Sequence, residues 1–230
     1  MRHFWFIFLV LCVSGMSFPG RPAAASEAHR DKAKIFTEIA ASASRVKTLS
    51  SDFTQEKHLS MLDKVLTSQG RFFYKRDNRL RWELNDPVVS GFAVNGTYAA
   101  RWDAQTEIPQ SVNVNRVPFL KIFSDQVFSW AKADFKRLQK QYHIQVIGEN
   151  PVDLKLDPKS AREKKYLDHL RIVFATDASH VRTVEVHEPD GDFTAIRFIN
   201  TQINAPLPDS LFGPKQPDSQ GQASDEHLRR

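Results

Sequence analysis

The chain has 230 residues, 32 lysines and arginines against 27 acids, a formal charge of +5 and a single cysteine. A chain of that length can bury the core of one domain of ordinary size. Its small basic surplus falls short of the concentrated positive face of a nucleic-acid binder, and one cysteine rules out an internal disulfide framework.

Arg2 and His3 open the chain, residues 4–13 are an uncharged apolar run, and Pro22-Ala23-Ala24-Ala25-Ser26 supplies small residues. This is the layout of a secretory signal peptide over residues 1–25, with cleavage expected after Ala25. The run is shorter than the ~20 apolar residues a spanning helix needs. Leu11, before Cys12, is too bulky for a lipoprotein peptidase site, so Cys12 is expected to leave with the leader. Loss of Arg2 and Arg21, with no acid before Glu27, would leave a thiol-free chain of charge +3. The expected organisation is one domain over residues 26–213 and a disordered polar tail over 214–230.

Over residues 31–49, Ile35, Phe36, Ile39, Ala40, Ala43, Val46 and Leu49 recur at steps of three and four, the spacing of an amphipathic helix. The period then becomes that of strands, at 51–57, 66–75 and 80–84. In the third, Leu80, Trp82 and Leu84 face one way and Arg81 and Glu83 the other. Strands follow at 88–94 and 97–103 around Asn95-Gly96, a strong hairpin signal, and near 107–114. Phe119, Leu120, Ile122, Phe123, Val127, Phe128 and Trp130 make a short helix apolar nearly all round, which needs a cover. Further strands are expected at 136–147, 152–156, 166–175, 180–188 and 192–200. About ten strands in hairpin order with two helices predict a large, strongly curved or partly closed antiparallel sheet, one apolar face covered by the helices.

Signals of catalysis are sparse. The sequence has no Gly-rich phosphate loop and no Gly-x-Ser-x-Gly elbow. Its histidines after the leader (His29, His58, His143, His169, His180, His187 and His227) include no pair at three- or four-residue metal spacing. "HEPDGD" (187–192) reads as a hairpin turn with solvated charges rather than a cation site. No enzyme activity, cofactor or metal is expected.

One stretch, "GRFFYKRDNRLRWELNDP" (70–87), threads aromatic residues through cations. Phe72, Tyr74 and Arg76 share a strand parity, so an arginine falls on the aromatic face. A buried cation without partners costs several kcal/mol, and carbonyls at a helix end or a polar headgroup would supply acceptors.

The ordered segments "LSSDFTQEKHL", "SQGRFFYKRDNRLRWEL", "DP", "FAVNGTYAARWD" and the Pro-Phe-Leu-led helix resemble the periplasmic outer-membrane lipoprotein carrier (LolA-type) family over residues 31–212. The resemblance implies an incomplete antiparallel β-barrel of ten to eleven strands, with a helical lid over an apolar cavity. It implies a non-catalytic periplasmic carrier, and the chain is expected to be a monomer. Such a carrier takes acylated lipoprotein from an inner-membrane ABC transporter complex and passes it to an outer-membrane receptor. By the same resemblance, Leu80, Trp82 and Phe92 line the cavity and Phe119, Leu120, Ile122 and Phe123 form the lid. Arg76 bonds the lid backbone and keeps the empty cavity closed. Strand parity adds Phe72 and Tyr74 to the lining. The cations Arg71, Lys75, Arg79 and Arg81 are expected in solvent or against partners at the mouth. Asp77 departs from the family's usual proline, and "LDPKSAREKKYLDH" (156–169) is unusually basic. The other functions in view are carriage of another lipid or glycolipid, catalysis on an acylated substrate, and a structural adaptor with a filled core.

Overall fold

The computed structural model describes residues 24–61, 64–76, 78–104 and 110–213. Most of the expected leader, the expected tail and Asp77 therefore lie outside the described residues. Helix α1 (Ala24–Ser44) leads into β1 (Thr48–His58), β2 (Leu66–Lys75), β3 (Arg79–Asp86), β4 (Ser90–Asn95), β5 (Tyr98–Asp103) and β6 (Gln110–Asn113). Helices α2 (Pro118–Ala131) and α3 (Phe135–Gln141) follow. Then come β7 (Tyr142–Glu149), β8 (Val152–Pro158), β9 (His169–Phe174), β10 (Val181–His187) and β11 (Phe193–Ile203).

The eleven strands of the described residues form one antiparallel sheet in the order β6-β5-β4-β3-β2-β1-β11-β10-β9-β8-β7. Every connection but one steps to a neighbouring strand; the exception is β6 to β7, which runs through α2 and α3, and β11 then pairs with β1. The long central strand β1 thus joins two meanders, and β6 and β7 remain as open edges. This is the large antiparallel sheet that the hairpin order predicts, and the incomplete barrel with helical elements that the resemblance implies.

Each meander buries its own core. On the β7–β10 side, Phe36, Ile39 and Ala43 of α1 and Phe135 and Leu138 of α3 pack with Ile144, Leu154, Leu156, Leu170 and Ile172. Phe36 and Phe135 stack with centroids 4.1 Å apart. On the β1–β5 side, Leu120, Val127 and Phe128 of α2 pack with Leu49, Phe53, Phe72, Tyr74, Leu80 and Val94. Among the described residues, no helix is long and apolar enough to cross a membrane.

Local chemistry shifts three expected elements. α1 ends at Ser44, and Leu49 belongs to β1. There the side chain of Asn204, from the far end of the chain, accepts the backbone N–H groups of Lys47 (2.7 Å) and Thr48 (3.4 Å) and draws the chain into the sheet. The strand expected at 136–147 begins as a helix instead. Asp134 accepts the N–H of Arg137 as an N-cap, Phe135 and Leu138 bury one face, and good helix formers fill the rest, so α3 runs to Gln141. The β4–β5 hairpin turns on Gly96 and Thr97 rather than Asn95 and Gly96. Asn95 pairs with Tyr98, and Gly96 takes the positive φ of 62°.

Candidate functional site

Strand register lays the face beneath α2 out in rows. Ile203, Leu49, Tyr74, Leu80, Val94, Ala99 and Val112 are successive cross-strand neighbours from β11 to β6. This row is sealed by α2 and by Val114: Tyr74, Leu80 and Val94 are at most 1% exposed, and the rings of Tyr74 and Phe128 lie 6.3 Å apart. The next row reads Ser51, Phe72, Trp82, Phe92, Arg101, and the third Phe53, Gly70, Leu84, Ser90. In these two rows, Trp82, Leu84 and Phe92 are only half-buried, as is Phe198 beside Phe53. The helix-covered face is therefore shut along one row and partly open along the next.

Four rings form the centre of the open part. Phe53 lies 4.3 Å from Trp82 and 6.1 Å from Phe198. Phe72 lies 5.7 Å from Trp82 and 5.6 Å from Phe198. Gly70 makes this possible, since a Cβ there would meet the Phe53 ring at 2.4 Å and the Glu83 carbonyl oxygen at 2.0 Å. Of the residues expected to line a cavity, Phe72, Tyr74 and Leu80 are buried and Trp82 and Phe92 half-buried, all on one face. Phe53 and Phe198 are additions from the structure. The alternation of Ile196 with Phe198 in β11 is the sequence signal for the second.

Of the expected lid residues, Leu120 is 4% exposed and sits in this core. Phe119, Ile122 and Phe123 also fall in α2, but their side chains lie outside the described ones.

Arg76 sits in the β2–β3 turn and donates to carbonyls at and just beyond the end of α1. Its Nε meets Val46 at 2.7 Å, and its Nη2 meets Ala43 at 3.2 Å as well as the Ser44 carbonyl. The backbone it holds is thus that of the leading helix rather than α2. The carbonyls at this helix end, of which that of Ala43 also accepts the Val46 N–H, and the negative end of the helix dipole give the guanidinium its acceptors.

The cations expected to face outward divide. Arg71 is exposed, over the Phe73 ring at 4.8 Å. Lys75 and Arg79 reach Asp209 at 2.5 and 2.6 Å, and the Lys75 hydrogen bond leads in holding that carboxyl below its ordinary range. Arg81 overturns the expectation: it is 6% exposed. It pairs with Glu83 at 2.5 Å, lies 4.4 Å from the Trp102 ring and donates to the Leu211 and Gly213 carbonyls at 2.9 and 3.2 Å. The segment after β11 wraps over the outer face of β3 and β4, and that covering buries the cation.

A buried polar chain ties α2 to the other meander. Gln126 donates to the Tyr142 hydroxyl at 3.4 Å, which donates to Glu163 at 2.8 Å. Burial pushes the Glu163 carboxyl up and, with the Glu163 charge beside it, the Tyr142 phenol too. Among the described residues, no group of histidine, cysteine and acidic side chains could hold a metal ion. "HEPDGD" is a turn, with Gly191 at φ 91° and Asp192 accepting the Ser60 N–H at 2.6 Å.

The sequence pattern of one family, outer membrane lipoprotein carrier protein LolA, matches residues 44–215. The chain belongs to the LolA family. That match spans β1 to β11 and all of the rows described above. Among solved structures, an uncharacterised conserved protein from Thermus thermophilus is 7% identical, covering 82% of this chain and 96% of that one, with a TM-score of 0.52. MucB is 11% identical over 80% of this chain and 62% of its own, with a TM-score of 0.49. A LolA superfamily protein from Nitrosomonas europaea is 9% identical over 78% and 96%, at 0.39. This chain thus spans less than two thirds of MucB. At such identities a likeness speaks for the fold alone. No curated protein sequence matches the chain.

Proposed function

We propose that this protein is a periplasmic carrier that shields the acyl chains of lipoproteins between the inner and outer membranes. Family membership supports the class of activity. The observation that carries the reading is the half-open aromatic face: Trp82, Leu84, Phe92 and Phe198 stay partly exposed beside a row that α2 seals.

Acyl chains would extend the burial that α2 begins. Each methylene taken from water contributes about 0.8 kcal/mol, so one or two chains bind firmly and require no catalytic group. Entry displaces Leu120, Val127 and Phe128 from the sheet, and Phe72, Tyr74, Leu80, Trp82 and Phe92 line the space gained. Phe119, Ile122 and Phe123 accompany the lid. Arg76 is the latch: it acts not on α2 but on the segment after α1, whose Val46 packs in the same core as Leu120, Val127 and Phe128, and so stabilises the closed form against the loaded one. A differential of a few kcal/mol is enough to move such populations. Residues 1–25 serve as the export signal. Cargo arrives from an inner-membrane ABC transporter complex and leaves to an outer-membrane receptor.

The test is mass spectrometry of what co-purifies with the exported protein, wild type beside Arg76→Leu. Acylated lipoprotein enriched on the variant supports the reading. Free lipid or glycolipid alone assigns a different cargo to the same face, and two clean proteins make the face an ordinary core.

A further inference from the structure

A second surface lies on the other meander, outside the helix-covered face. Asp134, Lys136, Arg137, Lys140 and Gln141 border an open groove of about 490 Å³ along α3. α3 buries Phe135 and Leu138 and so presents Lys136 and Lys140 to solvent. The segment after β8 is fastened to the same helix: the Lys159 N–H donates to the Gln141 carbonyl at 2.9 Å, and its Nζ to the Gln139 carbonyl at 2.6 Å. Further along, Glu163 points inward to Tyr142, and Leu167 is 1% exposed. These two anchors leave Lys164, Lys165 and Tyr166 outward, Tyr166 at 47% exposure. Burial first, and then the neighbouring Lys159 charge, holds the Lys32 amine of α1 below its ordinary range. Arg137 pairs with Asp125 at 2.8 Å, a carboxylate it shares with Lys121. Lys136, Lys140, Lys159, Lys164 and Lys165 have no carboxylate partner among the described residues, and the nearby acid Asp134 is occupied capping α3.

We propose that this lysine face docks the protein onto an anionic phospholipid surface, with Tyr166 entering the headgroup layer. The chemistry of the patch selects that partner. Its exposed unpaired cations are lysines, with Arg162 between them half-buried, and lysines act as point charges that lack the planar fork arginine offers to one carboxylate. Lysine is depleted in protein–protein interfaces, whereas lysines around an exposed aromatic ring are what a headgroup layer attracts. The inference stands apart from the carrier reading, since no residue of the helix-covered face takes part.

The experiment is flotation of the full chain with vesicles of phosphatidylglycerol and phosphatidylethanolamine, against pure phosphatidylcholine, at low and physiological salt. Wild type is expected to float with the anionic vesicles only, and less so as salt rises. Each lysine removed should weaken partitioning by about fivefold. Lys136→Gln, Lys140→Gln, Lys164→Gln and Lys165→Gln together should therefore lose at least about a hundredfold. Phosphatidylcholine vesicles offer the same acyl chains without net charge, so flotation on them would report uptake by the aromatic face and would overturn docking by the lysines. Equal flotation of the four-lysine variant, or none of wild type at low salt, overturns the proposal. So does lysine-dependent binding of polyglutamate by a protein that ignores both vesicles, which would make the partner an acidic protein.

Discussion

Arg76 of the β2–β3 turn donates through Nε to the carbonyl of Val46 at 2.7 Å, and this bond joins the end of α1 to the sheet that α2 covers. Two further carbonyls, of Ala43 and Ser44, share the guanidinium. A side chain in one meander thereby fixes a helix that covers the other. Arg76→Leu should lower the unfolding free energy by about 2 kcal/mol, the scale of hydrogen bonds to a charged group that is partly exposed. Arg76→Lys, with a single ammonium, should recover less than half of it. Urea denaturation checks both; a Lys variant as stable as wild type would mean that charge alone suffices.

Gly70 lies where the Phe53 ring crosses the sheet. Gly70→Ala puts a methyl 2.0 Å from the Glu83 carbonyl and 2.4 Å from that ring, and the carbonyl belongs to a paired strand that yields little. The expected cost is about 1–3 kcal/mol, that of overpacking a well-filled site. Phe53 stands 4.3 Å from Trp82, so the tryptophan emission should shift in the same variant. Unchanged stability and emission would show that the strands separate there at little cost.

Arg81 is held beneath the last described residues, and Phe212 there is 2% exposed. Phe212→Ala should cost about 3–5 kcal/mol. Arg81→Ala should cost about 3–5 kcal/mol as well, since it leaves Glu83 without its partner in a covered site. The two losses should fall well short of adding in the double variant, because each loosens the same segment. Denaturant unfolding of the three variants measures the coupling.

Glu163 gives a pH dependence with a definite sign. Burial raises its carboxyl in the folded protein, so between its unfolded and folded values the folded state holds more protons. Its contribution is fully present below the unfolded value and is lost as pH rises through the folded one. Asp125, Asp168 and Asp177 are shifted the other way and contribute an opposite trend, so the comparison is with Glu163→Gln. Gln keeps an acceptor for the Tyr142 hydroxyl and does not ionise. The variant should match wild type near pH ~4, around the unfolded carboxyl value, and become the more stable of the two towards neutral pH. A constant difference from acid to neutral pH would mean that Glu163 ionises freely.

How far the sequence carries depends on the kind of interaction. Alternation in β3 (Leu80, Trp82, Leu84) and hairpin spacing give the meanders, because strand period and turn chemistry are local. Arg76 stands out because its parity contradicts its charge. Its partners at the end of α1 come from about thirty residues away and leave no local trace. The same holds for Asn204 ending α1, for Arg81 and for the Gln126–Tyr142–Glu163 chain, each joining segments that only the fold brings together. α3 is hidden for another reason: a short helix directly before a strand gives apolar spacing too brief to separate the two periods.

The most direct measurement is photocrosslinking of the exported protein with a lipopeptide that carries a diazirine near the end of its acyl chain, mapped by peptide mass spectrometry. Labels on Trp82, Leu84, Phe92 and Phe198, stronger in Arg76→Leu than in wild type, are the predicted result. Labels confined to exposed apolar residues such as Met61, Val88 and Val89, equal in both proteins, would contradict carriage on the helix-covered face.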